Sequence, residues 1–291
     1  MHRENERLGA GVVAACLSCA VAAAAQDSGA GAGLDKSRYT LFDPTPPALM
    51  REMETDRPDI TESPHTVDAG HVQVESSFFE YTRDNADGNG GGGDSDAWSV
   101  LPTNIKIGLT NNMDLQLAFQ PYVREEFEDT TDDGFGVTQL RLKINLWGND
   151  GGDTALAIMP FAQFPIEDDD FGATDHLQGG VIVPLKLTLP DGWDLGLMGQ
   201  LGAVRDAADE EYELQLLHTV ALSRAIAGPL GGYVEYVGIT DTEPGTGYLS
   251  VIGTGLTYGV NEDVQLDGGV NIGLSDDAAD ITLFAGISVR N

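Results

Sequence analysis

The sequence predicts an all-β fold: a closed antiparallel transmembrane β-barrel of about 12 strands. From Gly70 to the C-terminus, apolar and polar residues alternate with a two-residue period, which is typical of strands with two different faces. Twelve such stretches occur, and bacterial outer-membrane barrels have an even number of strands. Their connections alternate between short turns and long acidic loops, which places all long loops at one end of the barrel.

Residues 1–25 have the pattern of a secretory signal peptide. Two arginines precede an alanine-rich apolar stretch, and the small residues at its end predict cleavage before Gln26. An uncleaved anchor helix and lipid attachment at Cys16 are the alternatives. Cys16 and Cys19 both lie in this segment, so the mature chain would have no disulfide, thiolate metal site or cysteine nucleophile.

Residues 26–69 precede the first strand pattern, and their Gly, Ala, Ser and Pro content predicts a flexible lead-in. The prolines of "DRPDITESP" at 56–64 exclude a helix interior and impose an extended or turning path. Two interpretations of segment 55–67 remain open. It folds into the periplasmic mouth of the barrel as a plug, where Arg57 and Glu62 contact lumen charges, or it is a simple bracket before the first strand.

The barrel is predicted over residues 70–291. Its alternation places Val123 on the apolar face of the third strand, with Tyr122 on the polar face, and places Phe79 on the polar face of the first. The predicted strands fall near residues 71–81, 103–110, 114–123, 139–147, 154–165, 177–189, 193–205, 212–226, 229–239, 248–260, 263–274 and 280–290.

The connections indicate which end of the barrel faces outward. We predict short periplasmic turns at 110–112, 148–152, 190–192, 227–229 and 261–262. The long extracellular loops are predicted at 84–96, 125–134, 166–176, 206–213, 240–247 and 275–280. These loops carry 25 of the 47 acidic residues and no Lys or Arg. We interpret them as a solvated surface; the alternative is weak Ca²⁺ or Mg²⁺ binding that bridges carboxylates to lipopolysaccharide phosphates, since hard cations take oxygen ligands.

The formal net charge of −32 argues against a nucleic-acid partner, because a polyanion would be repelled. The expected partners are instead outer-membrane lipid and lipopolysaccharide, the barrel assembly machinery and a small-molecule solute. We expect no cofactor apart from the loop cations considered above.

A soluble β-domain with an apolar interior would show the same alternation. Arg141 and Lys143 on one polar face, and aromatic residues near strand ends, favour the membrane barrel, in which the polar face lines the lumen. Lumen charges can line a watery path or form ion pairs that fill it. The candidate lumen or transport residues are Arg57, Glu62, Gln73, Glu75, Lys106, Gln116, Arg141, Lys143, Lys186, Glu235 and Asp267.

No catalytic or metal-binding constellation is evident, and we expect that the protein is not an enzyme. His218 and Ser223 lie five residues apart on one strand, so the odd spacing places them on opposite faces. They therefore cannot form a nucleophile and base pair. The other histidines are scattered without metal-ligand spacing.

Four stretches resemble one known family: "TDRPDITESP" at 55–64, "GHVQVE" at 70–75, "LPTNIKIGLT" at 101–110 and the block at 264–289. The sequence resembles the Gram-negative outer-membrane transporter family named for a meta-pathway of phenol degradation. The resemblance implies an outer-membrane barrel with a transport or channel role. One departure is the last residue, Asn291, where barrel proteins usually end on an aromatic residue that aids assembly.

We therefore expect an outer-membrane channel for passive passage of small solutes, with hydrophobic or aromatic compounds as one option. The alternatives are a closed structural or surface-interaction barrel with divalent ions at its acidic loops, and a soluble secreted β-domain.

Overall fold

The computed structural model describes residues 35–85, 94–127, 130–165, 176–205, 212–241 and 247–291. The predicted signal peptide and the middle of five of the six predicted long loops lie outside these residues. Lys36–Asn291 form a compact unit. The helical content of the described chain is two short 3₁₀ turns, Pro47–Leu49 and Pro190–Gly192. Among the described segments, no helix is long and apolar enough to cross a membrane.

The described strands form one antiparallel sheet that closes on itself, because the last strand, β15, pairs with the first, β1. Three barrel strands are each divided into two segments (β2 with β3, β4 with β5, and β6 with β7), so 15 segments make twelve strands. The predicted strand number and closure are therefore confirmed. The strands are β1 Val72–Asp84, β2 Ser95–Val100, β3 Thr103–Thr110, β4 Met113–Phe119, β5 Tyr122–Phe127, β6 Thr130–Gly134, β7 Thr138–Trp147, β8 Thr154–Phe164, β9 Gln178–Leu189, β10 Trp193–Arg205, β11 Tyr212–Ala227, β12 Leu230–Asp241, β13 Leu249–Asn261, β14 Val264–Gly273 and β15 Ile281–Arg290.

Two of the three breaks in the divided strands coincide with residues that cannot continue the ladder. Pro102 and Pro121 lack a backbone N–H and so interrupt β2–β3 and β4–β5. The remaining donors pair irregularly: Gln120 N donates to Val137 O at 3.2 Å, and Ser77 N donates to Pro102 O at 3.0 Å.

These irregularities reverse the predicted faces of three residues. Beyond the break at Pro121, Val123 is 5% exposed and Tyr122 is exposed, the opposite of the simple alternation. In β1 the register shifts between Ser77 and Phe79, which leaves Phe79 41% exposed on the outer surface. Because the side-chain period is two, each extra residue moves all following side chains to the other face.

The prediction of a loop at 125–134 was wrong. Most of these residues belong to a hairpin in which β5 pairs with β6 from Val123 opposite Gly134 to Phe127 opposite Thr130. Its exposed charged residues gave no alternating apolar pattern. Backbone hydrogen bonds hold these strands together without an apolar face.

The distribution of polarity is that of a membrane barrel, with apolar residues outward and polar residues inward. Exposed apolar side chains occur on most strands, among them Leu146, Leu201, Leu256, Ile272 and Leu283. The buried polar set includes Gln73, Glu75, Lys106, Asp114, Gln116, Lys143, Asn145, Glu235 and Ser288. This arrangement excludes the soluble β-domain, whose interior would be apolar.

The described part of the predicted flexible lead-in, residues 36–69, has defined contacts. Tyr39 is buried, Thr40 bridges Thr110 at the end of β3, and Lys36 lies 3.0 Å from Asp150. This differs from the predicted flexibility. The Gly-rich and Pro-rich composition did not reveal that charged partners on the barrel hold the segment.

Candidate functional site

Residues 55–67, here named the lumen segment, lie inside the barrel near the end that carries the short turns. The chain enters and leaves at the same end. Arg51 connects the entering limb of the chain, on which it lies, to the returning limb. Its guanidinium donates to Thr66 O at 3.1 Å and to Asn111 O at 3.0 Å. On the returning limb, Thr66 N donates to Asn149 Oδ1 at 3.1 Å and Val67 N to Asp114 Oδ2 at 3.0 Å.

Asp56 is the centre of a buried charge network. Lys143 Nζ donates to its two carboxylate oxygens at 2.8 and 3.0 Å, and Lys106 forms ion pairs with both Asp56 and Glu75. The carboxylate also accepts a hydrogen bond from Ser63 N at 2.8 Å, which fixes the turn within the segment. Burial opposes ionisation, but the two ammonium groups outweigh it and hold the pKa of Asp56 well below its usual range.

Arg57 joins the segment to the wall at β1 and β14. It forms a bidentate pair with Asp267 (Nη2 to Oδ1 2.7 Å, Nε to Oδ2 3.2 Å) and donates to Ser77 Oγ at 2.5 Å. Its backbone N–H donates to Glu75 at 3.1 Å. Gly286 leaves the space for this side chain, because a Cβ there would collide with the Arg57 guanidinium.

Glu62 joins the segment to β7. Arg141 Nη1 donates to Glu62 Oε1 at 2.6 Å, and Gln139 Oε1 orients the guanidinium by accepting from its Nε and Nη2 at 3.0 and 2.8 Å. Lys143 lies 3.8 Å from the other Glu62 oxygen. Burial and the nearby charge of Asp56 raise the pKa of Glu62, against the opposing effect of Arg141 and Lys143.

Glu235 holds the tip of the segment by accepting three hydrogen bonds. Ile60 N donates at 2.9 Å, Thr61 N at 2.7 Å and the Thr61 hydroxyl at 2.5 Å. The same hydroxyl lies 2.6 Å from that of Thr219 on β11. The carboxylate therefore binds the segment without an ion pair from any described residue.

The remaining predicted lumen residues have different positions. Gln73 donates to Glu54 O and to Glu75 Oε1, both at 2.8 Å, just below the segment. Gln116 acts indirectly, because its amide donates to Asp114, which in turn accepts from Val67. Lys186 lies apart from the network around Asp56.

Lys186 contacts two carboxylates near the short-turn end. Its ammonium group lies 2.9 Å from Glu54 and 3.5 Å from Asp194. This cluster therefore links the entering limb of the N-terminal chain to β9 and β10.

Sequence reasoning missed several residues that complete the site, namely Asp56, Asp59, Thr61, Asp114, Asn145, Thr219 and Tyr233. Asp56, Asp59 and Thr61 belong to the quoted "DRPDITESP" stretch, so its density of polar groups was an available signal. The wall residues gave no signal of their own, because polar residues at alternate positions occur throughout the lumen face.

A cavity of about 500 Å³ lies between the segment and the wall formed by β9 to β14. Asp59, Lys186, Asp194, Tyr233 and Gln265 are among its lining residues. The turn at Gly228 and Pro229 also contributes, so the cavity extends to the short-turn end. Burial and the neighbouring Glu235 raise the pKa of Asp59.

The prediction that His218 and Ser223 face opposite ways agrees with the register. His218 lies on the outer surface, where Tyr248 Oη is 3.1 Å from its Nε2, while Ser223 lines the lumen cavity. Within the part of the chain that the structure describes, no group of three or more His, Cys, Asp or Glu residues is arranged to hold a metal ion.

Comparison with solved structures agrees with the fold. An outer membrane channel from Pseudomonas putida F1 has a TM-score of 0.58 at 13% identity, covering 82% of this chain and 100% of that chain. The NanC porin has a TM-score of 0.51 at 8% identity, covering 75% and 98% respectively. No curated protein sequence is significantly similar to this chain.

These likenesses support the fold of an outer-membrane β-barrel, in agreement with the inward polar and outward apolar faces. The family model described as "Putative MetA-pathway of phenol degradation" matches residues 55–290, which include both the lumen segment and the entire barrel. The predicted family is confirmed: the chain belongs to it.

Proposed function

We propose that this protein is an outer-membrane channel for small solutes, in which the lumen segment narrows the passage on the periplasmic side. The observation that carries this proposal is the cavity of about 500 Å³ beside the segment. A barrel with a purely structural role has no need of such a space, whereas a channel needs a polar route around its constriction.

The position of the proposed route follows from the way the lumen segment is attached, which differs between the two sides of the barrel. Its ion pairs connect it to β1, β3, β7 and β14, through Glu80, Lys106, Arg141, Lys143 and Asp267. Toward β9 to β12 it is held by uncharged donors, including Glu62 N, which lies 3.4 Å from Met198 Sδ. The cavity lies on this side, where no described ion pair joins the lumen segment to the wall.

The solutes are small, and hydrophobic or aromatic compounds are one option. Met159, Ile182 and Met198 form a buried apolar cluster on the lumen side of β8 to β10, with Phe161 and Leu217 packed against it. This cluster adjoins the tip of the segment, so a solute that passes it meets both apolar and charged surface. The family description, which concerns phenol degradation, is consistent with such solutes.

Planar-bilayer recording of the refolded protein tests the channel. We expect a small, steady conductance, because the segment leaves a restricted path. A complete absence of conductance at any voltage or salt concentration would refute an open route.

The second candidate is a closed surface barrel whose acidic loops bind divalent cations, favoured by the 25 acidic residues of the predicted loops. Removal of residues 86–93 from the predicted loop 84–96 separates the two functions. A channel should change its permeability, whereas a surface module should lose Ca²⁺ binding and keep its permeability.

A further inference from the structure

Arg224 of β11 is an exposed cation on the outer face of the barrel, the face of the exposed apolar residue Val220. Its Nε donates to Ala225 O at 3.2 Å, and its guanidinium carbon lies 4.8 Å from the centre of the Trp193 ring. No described carboxylate forms an ion pair with it, although the net charge of the chain is −32. By contrast, five lumen cations pair with carboxylates: Arg57, Lys106, Arg141, Lys143 and Lys186.

The side chains around Arg224 on the outer face are apolar. Ile226, on the side of the turn, is 55% exposed, and Leu256 of β13 is 52% exposed. Their methyl groups cover Gly232, the residue opposite Arg224 on β12, where a Cβ would lie 2.9 Å from Ile226 Cδ1 and 3.2 Å from Leu256 Cδ2. The guanidinium therefore lies within the apolar band that faces lipid. A cation at such a position costs free energy unless an anion neutralises it.

Arg224 and Trp193 lie near the periplasmic boundary of the membrane. They are opposite each other in the register of β10 and β11, and each is close to a short turn, 190–192 for Trp193 and 227–229 for Arg224. The short turns of an outer-membrane barrel are on the periplasmic side, where aromatic side chains lie at the level of the lipid headgroups. The phosphate groups of the phospholipid leaflet are the anions at this level.

We propose that Arg224 and Trp193 form a headgroup site for an anionic phospholipid of the periplasmic leaflet. The guanidinium donates two N–H groups to phosphate oxygens, because its planar fork matches the geometry of phosphate. The Trp193 ring holds the guanidinium from one side. An acyl chain extends toward the bilayer centre along exposed apolar residues such as Val220 and Val234. The inference does not rest on the channel function, since a closed barrel would have the same outer surface.

Quenching of Trp193 fluorescence by brominated lipid tests the site in the refolded full chain in vesicles. Trp98→Phe with Trp147→Phe leaves Trp193 as the single tryptophan. The probes are brominated phosphatidylglycerol and brominated phosphatidylcholine, each at the same mole fraction in unbrominated phosphatidylcholine. We expect phosphatidylglycerol to bind beside Trp193 about fivefold more strongly than phosphatidylcholine, since one basic residue near a membrane surface contributes about this factor.

Arg224→Gln should reduce this ratio to about one, because it removes the charge that attracts the phosphate. Arg205→Gln is the matched control. Arg205 lies at the other end of β10, also over an aromatic ring, with its guanidinium carbon 5.6 Å from the centre of the Tyr212 ring. This variant should keep the wild-type ratio. An unchanged ratio in Arg224→Gln overturns the proposal.

The comparison of the two lipids beside the native Arg224 keeps the test valid if Arg224→Gln does not fold, because equal quenching by both lipids also overturns the proposal. Loss of the preference when inorganic phosphate replaces chloride at constant ionic strength would assign the site to a soluble anion and overturn the lipid site. Absence of quenching by either lipid would mean that a second copy of the chain covers this surface, with the same consequence. None of these outcomes depends on conductance.

Discussion

Lys143 of β7 places its ammonium nitrogen 2.8 Å from Oδ1 of Asp56, a residue of the N-terminal chain, deep inside the barrel. The Lys143 side chain is fully buried, and its ion-pair partners among the described residues, Asp56 and Glu62, both belong to the segment before the first strand. The barrel wall and the lumen segment therefore stabilise each other. Each provides opposite charges that neutralise buried charges of the other.

Replacement of Lys143 should destabilise the folded barrel. Lys143→Met leaves Asp56 with one buried cation fewer, and we expect a loss of about 3 kcal/mol in the free energy of unfolding. The double variant Asp56→Asn with Lys143→Met should lose less than the sum of the two single variants. Urea unfolding in lipid vesicles, followed by tryptophan fluorescence, measures both. Additive losses would show that the two groups do not interact.

The pair Arg57→Ala with Glu62→Ala should raise conductance severalfold, because the segment then loses its ion pairs to Asp267 and Arg141. Planar-bilayer recording measures this change. The matched control is Arg124→Ala with Glu126→Ala, an exposed ion pair on β5. If conductance does not change, the segment is a simple bracket before the first strand and does not narrow the channel.

Gly286→Ala should act on Arg57 without altering its chemistry. A Cβ at this position would collide with the guanidinium and would also lie 2.5 Å from Ser76 O, so we expect displacement of Arg57 and a higher conductance. Gly199→Ala is the control, since a Cβ there has no neighbour within 4 Å. A wild-type conductance for Gly286→Ala would mean that Arg57 does not restrict the passage.

Acidification should weaken the fold partly through Asp56. Its pKa is held below the ordinary value near 4, so its ionised form contributes stability above that value, and the contribution declines as the pH falls toward the lowered pKa. We expect the urea concentration at the unfolding midpoint of wild type to decrease once the pH is below about 5. The midpoint of Asp56→Asn should decrease less. Asp191→Asn should follow wild type. An equal fall in Asp56→Asn would remove Asp56 as a source of the pH dependence.

The amino-acid pattern alone determined the barrel. Two-residue alternation and the alternation of short and long connections follow from local chemistry, so strand number and closure could be predicted without coordinates. The family was predicted separately, from the resemblance of four stretches to it. Polar residues such as Lys106, Arg141 and Asp267 could be assigned to the lumen because their neighbours in the strand are apolar.

Only the tertiary structure decided which lumen charges meet. Arg57 and Asp267 are 210 residues apart, and Asp56 and Lys143 are 87 apart, so their pairing depends on closure of the sheet and on the path of the segment. Local irregularities also could not be predicted from the pattern. The break at Pro121 reversed the faces of Tyr122 and Val123, and a strict two-residue period does not anticipate such a reversal. The sequence thus determined the lumen face of most strands, and the fold decided the partners of the lumen charges, because long-range ion pairs leave no local pattern.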